Sequence, residues 1–366
     1  MKKVGKVEDL QYTILTTLFT VGTTILITPG GLAVELNQDA WLAPIFAIVP
    51  GLLFVVLYRM LVHLQSDRTM VEMIDFILGS WLGKIVNILI IVTAFLAAAM
   101  VLFDVSRFIT TVSMPQTPVL FINVLFILLL VYGLMSGFDT LARMVEIMFP
   151  VCSLLFVLMI FSLLPQIDPK NIQPILDSPI HKYVYGTLSL ISVVYMPLIF
   201  FLMIQPKELK NPKHSYKSFV IGVSLGSVVN IIIIVLNILV LGSNVTSIQE
   251  YPAYHLAQKI DISGFIDRVE AVVALMWLMT SFVKLLIYFY SAFLGFTQVF
   301  KIKHQKSFII PLAFLLIVVS VDIFPNSVYE NKFNSSVWIG WITSIAVGIP
   351  VMLLTVKTWK TWIKRK

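Results

Sequence analysis

Charged residues are scarce in this chain. Asp, Glu, Lys and Arg together make up 12% of the 366 residues, about half of the roughly 25% found in soluble domains. Cysteine occurs once, at Cys152, which excludes a disulfide framework and a cysteine-based metal site. The five histidines are dispersed without metal-ligand spacing, and the sequence contains no glycine-rich phosphate loop. The sequence therefore predicts neither an enzyme nor a metal or cofactor site.

Long apolar runs dominate what is present. Hydrophobic residues make up 58% of the chain and the mean hydropathy is +0.95. Many runs reach the about 20 residues that a helix needs to cross a bilayer. The sequence predicts an all-α polytopic membrane protein, with residues 1–366 forming a single integral membrane domain. Ten transmembrane helices are predicted, at residues 10–34, 41–63, 83–111, 118–138, 143–164, 183–206, 216–241, 268–299, 307–324 and 337–357.

The distribution of basic residues predicts the orientation. With the N-terminus inside the cell, most of the 26 lysines and arginines fall in inner segments, as the positive-inside rule requires. Both termini are therefore expected in the cytoplasm, in agreement with an even number of spans. The net charge of +7 belongs to a face beside anionic membrane lipid. It is not interpreted as a signal for nucleic acid binding.

Two spans contain residues that interrupt a helix near its middle. Span 1 holds Gly22-Thr23-Thr24, and broken helices are tolerated in membranes where they line a cavity. Span 6 holds Pro197, whose ring removes a helix hydrogen bond. Interruptions at corresponding positions of two halves indicate a substrate site near the bilayer midplane. The residues predicted to bind a ligand at these breaks are Gly22, Thr23, Thr24, Ile25, Tyr195, Met196 and Pro197.

If the chain is built as a five-plus-five repeat, span 6 should be broken as span 1 is, and Pro197 meets this expectation. Repeat one is expected at about residues 10–164 and repeat two at about 183–357. Each break taken alone has another explanation, because small residues also serve helix packing and proline kinks are common in membrane helices. The segment Pro29-Gly30-Gly31, near the outer end of span 1, is interpreted as simple helix termination.

Lys284 is the most unusual charged residue, because it lies near the middle of span 8, far from either membrane surface. A charge at this depth costs about 2.5 kcal/mol or more and commonly marks function. Thr280 and Tyr288 lie one turn away on the same helix face. All three are predicted to bind the ligand. The alternative is a structural lysine that bonds to carbonyl oxygens of the broken helices.

Span 3 carries a possible ion pair. Asp104 and Arg107 are three residues apart, so they can pair along the helix, and they lie in its outer portion. They are predicted to form a gate at the outer mouth, with a solvated surface pair as the alternative. Ala97, two turns before Asp104 in span 3, has a small side chain that leaves space beside the helix. It is predicted to lie beside the ligand.

Several segments show a consistent order and spacing over nearly the whole chain. They are TLFTVGTTIL (17–26), QDAWLA (38–43), GFDTLARMVEIMFP (137–150), QPKELKNPKHSYKS (205–218) and the segment 251–290. In these segments the chain resembles the spore germination permeases, the B subunits of Ger-type nutrient germinant receptors. That family is part of the amino acid–polyamine–organocation superfamily.

The resemblance implies a transporter fold of five-plus-five inverted repeats in which helices 1 and 6 are broken. It also implies a nutrient-sensing role in the spore inner membrane, with a small nutrient ligand, an amino acid being favoured. A and C subunits are implied as partners. Two alternatives stay open: a proton-coupled amino acid permease, and a part of a ligand-gated ion channel. The residues alone predict a transporter-like binding fold, and only the resemblance selects germination.

Overall fold

Helices form nearly all of the structure, a computed structural model that describes residues 6–64, 68–204, 208–211, 215–260 and 269–363. Within these ranges no strand forms, apart from an isolated bridge between Val7 and Leu209. Nine helical stretches of the described residues are long and apolar enough to cross a membrane. The first, Asp9–Leu64, contains two of the predicted spans. The prediction of an all-α membrane protein with ten spans is confirmed.

The spans are numbered in chain order. Their helices are Asp9–Val21 and Thr24–Leu36 (span 1), Leu42–Leu64 (span 2), Ser80–Phe108 (span 3), Val119–Ser136 (span 4), Phe138–Leu163 (span 5), Ile180–Val194 and Phe201–Ile204 (span 6), Ser215–Ile248 (span 7), Val269–Val299 (span 8), Ile309–Asp322 (span 9) and Ser327–Ile363 (span 10). Two shorter helices, Met70–Leu78 and Pro252–Gln258, lie in the connections.

Two predicted helix ends are wrong. The second helix of span 1 does not terminate at Pro29-Gly30-Gly31 but continues to Leu36. Gly30 instead permits a close approach, because a Cβ atom there would lie 3.1 Å from the carbonyl oxygen of Gln249. Span 10 begins at Ser327, well before residue 337, because Asn326 caps its first turn and Glu330 is buried against the protein.

The packing of the spans repeats between the two halves. The first helix of span 1 packs on spans 5 and 7, and the first helix of span 6 packs on spans 10 and 2. Spans 3 and 8 pack along each other, as do spans 4 and 9. A five-plus-five inverted repeat requires this pattern, because it relates span 1 to span 6, span 2 to span 7, and so on. The repeat bounds 10–164 and 183–357 stay a prediction.

The bundle has two distinct ends. Since ten spans return the chain to its starting side, Asp9 and Ile363 lie at the same end, here called the terminal face. The opposite end, here called the loop face, carries the connections 164–179 and 249–260. Spans 6 and 8 are the most enclosed of the helices. The two broken spans and span 8 therefore meet in the middle of the protein.

Candidate functional site

Span 1 breaks at Gly22, as predicted. Gly22 has φ 38° and ψ −127°, a conformation that residues with a side chain rarely adopt. It also lies against the stem of Lys284, and a Cβ atom at Gly22 would be 2.4 Å from Cδ of that lysine. The glycine therefore serves two purposes: it lets the backbone turn, and it leaves room for a lysine to pass.

Span 8 satisfies the carbonyl groups that the break in span 1 exposes. The hydroxyl of Thr280 donates to the carbonyl oxygen of Gly22 at 2.8 Å, and the indole N–H of Trp277 donates to the carbonyl oxygen of Thr23 at 3.2 Å. The buried hydroxyl of Thr24 has no hydrogen-bond partner among the described residues. Because buried carbonyl groups without a donor are costly, Trp277 and Thr280 stabilise the broken conformation.

Span 6 breaks at Tyr195, where the helix Ile180–Val194 changes into a 3-10 turn at Met196–Phe200. Pro197 has no N–H. The helical bond from residue 197 to the carbonyl oxygen of Val193 therefore cannot form. The proline leaves this buried carbonyl group to a donor from elsewhere in the protein.

Tyr195 and Met196 contact the neighbouring spans. The Tyr195 hydroxyl shares a hydrogen bond of 2.7 Å with Ser227 on span 7. The carbonyl oxygen of Met196 accepts from the Tyr58 hydroxyl on span 2 at 2.9 Å. These contacts anchor the turn of span 6 to spans 2 and 7.

Lys284 connects the two breaks. Its ammonium donates to the carbonyl oxygen of Val193 at 3.2 Å and to Oγ1 of Thr23 at 3.4 Å, and the residue is only 2% exposed. The Val193 carbonyl group is available because Pro197 cannot donate to it. The interruptions of spans 1 and 6 together create the position that Lys284 occupies.

A cavity of about 540 Å³ lies beside Lys284 and extends to residues at the loop face. The predicted site residues that line it are Thr23, Ala97, Asp104, Arg107, Lys284 and Tyr288. Other predicted residues lie behind the lining, namely Gly22, Thr24, Ile25, Tyr195, Met196, Pro197 and Thr280. Apolar side chains of Ile27, Met100, Leu190 and Trp338 complete the walls. The role of each residue toward a ligand stays a prediction.

The wall between spans 3 and 10 carries two carboxyl groups. Asp104 and Glu330 lie at hydrogen-bonding distance from each other, and Glu330 is 8% exposed. A hydrogen bond between two carboxyl groups needs one proton, because a carboxylate only accepts. The charge of Asp104 also acts on Lys284 from across the cavity. Sequence reasoning missed Glu330, because it placed the start of span 10 at residue 337.

The predicted ion pair between Arg107 and Asp104 does not form. The Nε of Arg107 lies 2.7 Å from a carboxylate oxygen of Glu250 in the connection between spans 7 and 8. The carboxyl group of Asp104 is instead engaged by Glu330, a partner distant in sequence that helix spacing cannot reveal. Next to this pair, burial and the charge of Glu250 raise the pKa of Tyr251. The proposed gate at this rim stays a prediction.

Aromatic rings close the cavity toward the terminal face. Tyr288 packs edge-on against Phe19, with ring centroids 5.2 Å apart, and against Phe200, at 5.4 Å. Phe201 continues the layer and lies 5.1 Å from Phe19. Such edge-to-face pairs are favourable packing arrangements. The site is therefore open toward one end of the bundle and closed toward the other.

Two solved structures with the same architecture are transporters. Mhp1, a nucleobase-cation-symport-1 family transporter in a closed conformation with bromovinylhydantoin bound, matches with a TM-score of 0.67 and 12% identity, over 95% of this chain and 77% of its own. A Na⁺-coupled sialic acid symporter in a substrate-bound outward-open state matches with a TM-score of 0.61 and 10% identity, over 92% of this chain and 78% of its own. At these identities the likeness concerns the fold, and it confirms the predicted transporter fold.

Sequence relatives are germination proteins. The chain is 27% identical to spore germination protein KB of Bacillus subtilis (strain 168), over 97% of this chain and 95% of the relative. It is 24% identical to spore germination protein YndE of the same organism, over 97% of each. The model of the spore germination protein family matches residues 6–328. The chain is therefore a multi-pass membrane protein that belongs to the spore germination protein family.

Proposed function

We propose that this chain is the nutrient-sensing membrane subunit of a spore germinant receptor. In this proposal an amino acid binds in the cavity beside Lys284 and triggers germination. Family membership supports the role in germination. One observation carries the ligand-binding part: the cavity lies at the junction of two broken helices and contains a buried ammonium group. Broken helices at a repeat interface form the substrate site in many transporters.

The proposal includes a location and partners. The chain spans the spore inner membrane with both termini in the cytoplasm, and it assembles with the A and C subunits of the receptor. The excess of basic residues toward the terminal face supports this orientation, and the germination relatives support the receptor setting. Under this orientation the cavity opens away from the cytoplasm, where a nutrient arrives.

Spores that lack this chain provide the test. We expect them to lose the response to at least one amino acid and to regain it when the wild-type gene is restored. Germination is followed by loss of optical density and release of dipicolinic acid, with a panel of the twenty protein amino acids. A full set of unchanged responses in the deleted strain would refute the receptor role.

A proton-coupled amino acid permease is the second candidate, because the fold neighbours are transporters. Uptake of a radiolabelled amino acid into vesicles that contain the purified chain distinguishes the two functions. Accumulation driven by a pH gradient supports the permease. Binding without accumulation supports the sensor, and a ligand-dependent ion current in the same vesicles supports a channel.

A further inference from the structure

The cavity contains one deeply buried cation. Among the described residues that line it, the positively charged ones are Arg107, Lys284 and Lys332. Arg107 is engaged by Glu250, and Lys332 is exposed at the rim. Lys284 hydrogen-bonds only to neutral oxygens, and no carboxylate of the described residues lies within 4 Å of it. A buried ammonium without a carboxylate is costly, so a negative charge brought into the cavity is stabilised there.

Negative charge is concentrated on a different wall of the same cavity. Asp104 and Glu330 lie together between spans 3 and 10. Glu250 is engaged by Arg107, and Glu35 lies half-buried near the rim. Asp104 and Lys284 influence each other's charge without forming an ion pair. The space between them is therefore flanked by a cation on one side and by acids on the other.

We propose, building on the function proposed above, that this space binds its ligand as a dipolar ion in one fixed orientation. The ligand carboxylate pairs with the Lys284 ammonium. The ligand ammonium lies between the carboxyl groups of Asp104 and Glu330 and replaces the proton that they share, which leaves to solvent. The ligand side chain faces apolar Met100 and Leu190, which favours amino acids with an uncharged side chain.

The replaced proton gives the proposal a measurable consequence. The charged groups that act on Asp104 are Glu330, Lys284 and Arg107, and those that act on Glu330 include Arg107 and Glu250. Lys284, Arg107 and Glu250 keep their protonation in this exchange: one ammonium enters, and the proton that Asp104 and Glu330 share leaves. Binding therefore releases about one proton, and the affinity increases with pH while the carboxyl pair holds its proton.

Purified full-length protein in lipid nanodiscs allows the test. A thermal-shift screen of the twenty protein amino acids selects the one that stabilises the protein most. Calorimetry then compares this amino acid with its carboxamide, which lacks the carboxylate, and with its deaminated acid, which lacks the ammonium. We expect each analogue to bind at least about tenfold more weakly, since each loses a charge-assisted interaction. Titrations in buffers of different ionisation enthalpy measure the released protons.

Variants assign each end of the ligand. In Lys284→Met the amino acid and its carboxamide should bind about equally, and in Glu330→Gln proton release should vanish. Exposed residues of the same charge and face serve as matched controls: Lys259→Met and Asp322→Asn should behave as the wild type.

The outcomes separate the inference from the proposed function. If the amino acid binds but both analogues bind equally well, or no proton is released, the dipolar arrangement is wrong while the receptor function stands. If none of the twenty amino acids binds, both fail. The comparison of analogues on the wild-type protein tests the dipolar binding of the ligand even where a variant does not fold.

Discussion

Gly22 and the stem of Lys284 occupy adjoining space, so the effect of a single methyl group can be predicted. In Gly22→Ala the new Cβ would meet Cδ of Lys284 at 2.4 Å, and φ 38° is unfavourable for alanine. We expect a loss of stability of about 1–3 kcal/mol, measured as a lower melting temperature of the purified protein. Gly340→Ala is the matched control, because no atom of the described residues outside its own helix turn lies within 4 Å of a Cβ there. Equal melting temperatures for the two variants would contradict the close packing.

Lys284 itself allows a separation of signalling from folding. Lys284→Met keeps an unbranched apolar side chain similar to the lysine stem but removes the donor to Val193 and Thr23. We expect the variant to reach the membrane in normal amount and to give no nutrient response. Immunoblots of spore membranes and germination assays measure the two quantities together. If abundance falls with the response, the lysine holds the broken helices together and its role is structural.

At the scale of single residues, the sequence singled out Gly22 and Lys284, but it did not predict which residues contact the predicted site residues. Lys284 could be found because a charge in the middle of an apolar span is rare, and Gly22 because glycine interrupts a helix. Trp277 and Glu330 could not be assigned their roles, since each depends on a contact more than 200 residues away. Arg107 was paired with the wrong acid for the same reason, because helix spacing covers only local neighbours.

At the scale of helices, Pro197 determines which donor reaches the Val193 carbonyl group. In Pro197→Ala the new backbone N–H can bond to that oxygen and continue the helix, in competition with Lys284. We expect the amino acid concentration for half-maximal germination to shift by a factor of several, because the lysine loses one of its two anchors. Pro150→Ala in span 5, at an exposed proline inside the helix Phe138–Leu163, is the control. An unchanged dose–response curve for Pro197→Ala would mean that the proline only shapes packing.

Asp39, in the segment QDAWLA, holds the connection between spans 5 and 6 in place at the loop face. Asp39 is fully buried and accepts hydrogen bonds from the backbone N–H groups of Leu176 and Asp177, each at 2.9 Å, and from the Tyr183 hydroxyl at 2.5 Å. In Asp39→Asn one acceptor becomes a donor that faces other donors. We expect a loss of about 2–3 kcal/mol and faster proteolysis within residues 165–179, measured on purified protein. Asp322→Asn, at an exposed position, should change neither.

The ten spans could be predicted because a bilayer demands long apolar runs, and this demand acts on every span independently. The ends of the helices were predicted less accurately from the sequence. Span 10 begins at Ser327 because Glu330 is paired with Asp104 and can be buried, and a single residue carries no sign of such a partner. The helix Met70–Leu78 escaped prediction because it is too short for a span.

At the scale of the whole molecule, the structure is asymmetric along the membrane normal. The cavity reaches the loop face, whereas aromatic rings and the bridge between Val7 and Leu209 close the terminal face. A receptor and a transporter share this state, since both admit a ligand from one side. They differ in whether the closed side ever opens.

Cysteine accessibility measures this asymmetry, and the chain suits the method because Cys152 is its only cysteine and is buried. In a Cys152→Ser background, Ser189→Cys places a thiol in the cavity lining, and Thr16→Cys places one in the fully buried contact between spans 1 and 7, one turn before Phe19. We expect a small membrane-impermeant thiol reagent, added outside intact cells, to label position 189 rapidly and position 16 hardly at all. A bound amino acid should slow labelling at position 189, because it fills the same space. Labelling of position 189 only after permeabilisation would reverse the proposed orientation, and ligand-dependent labelling of position 16 from outside would show that the closed side opens, as a permease requires.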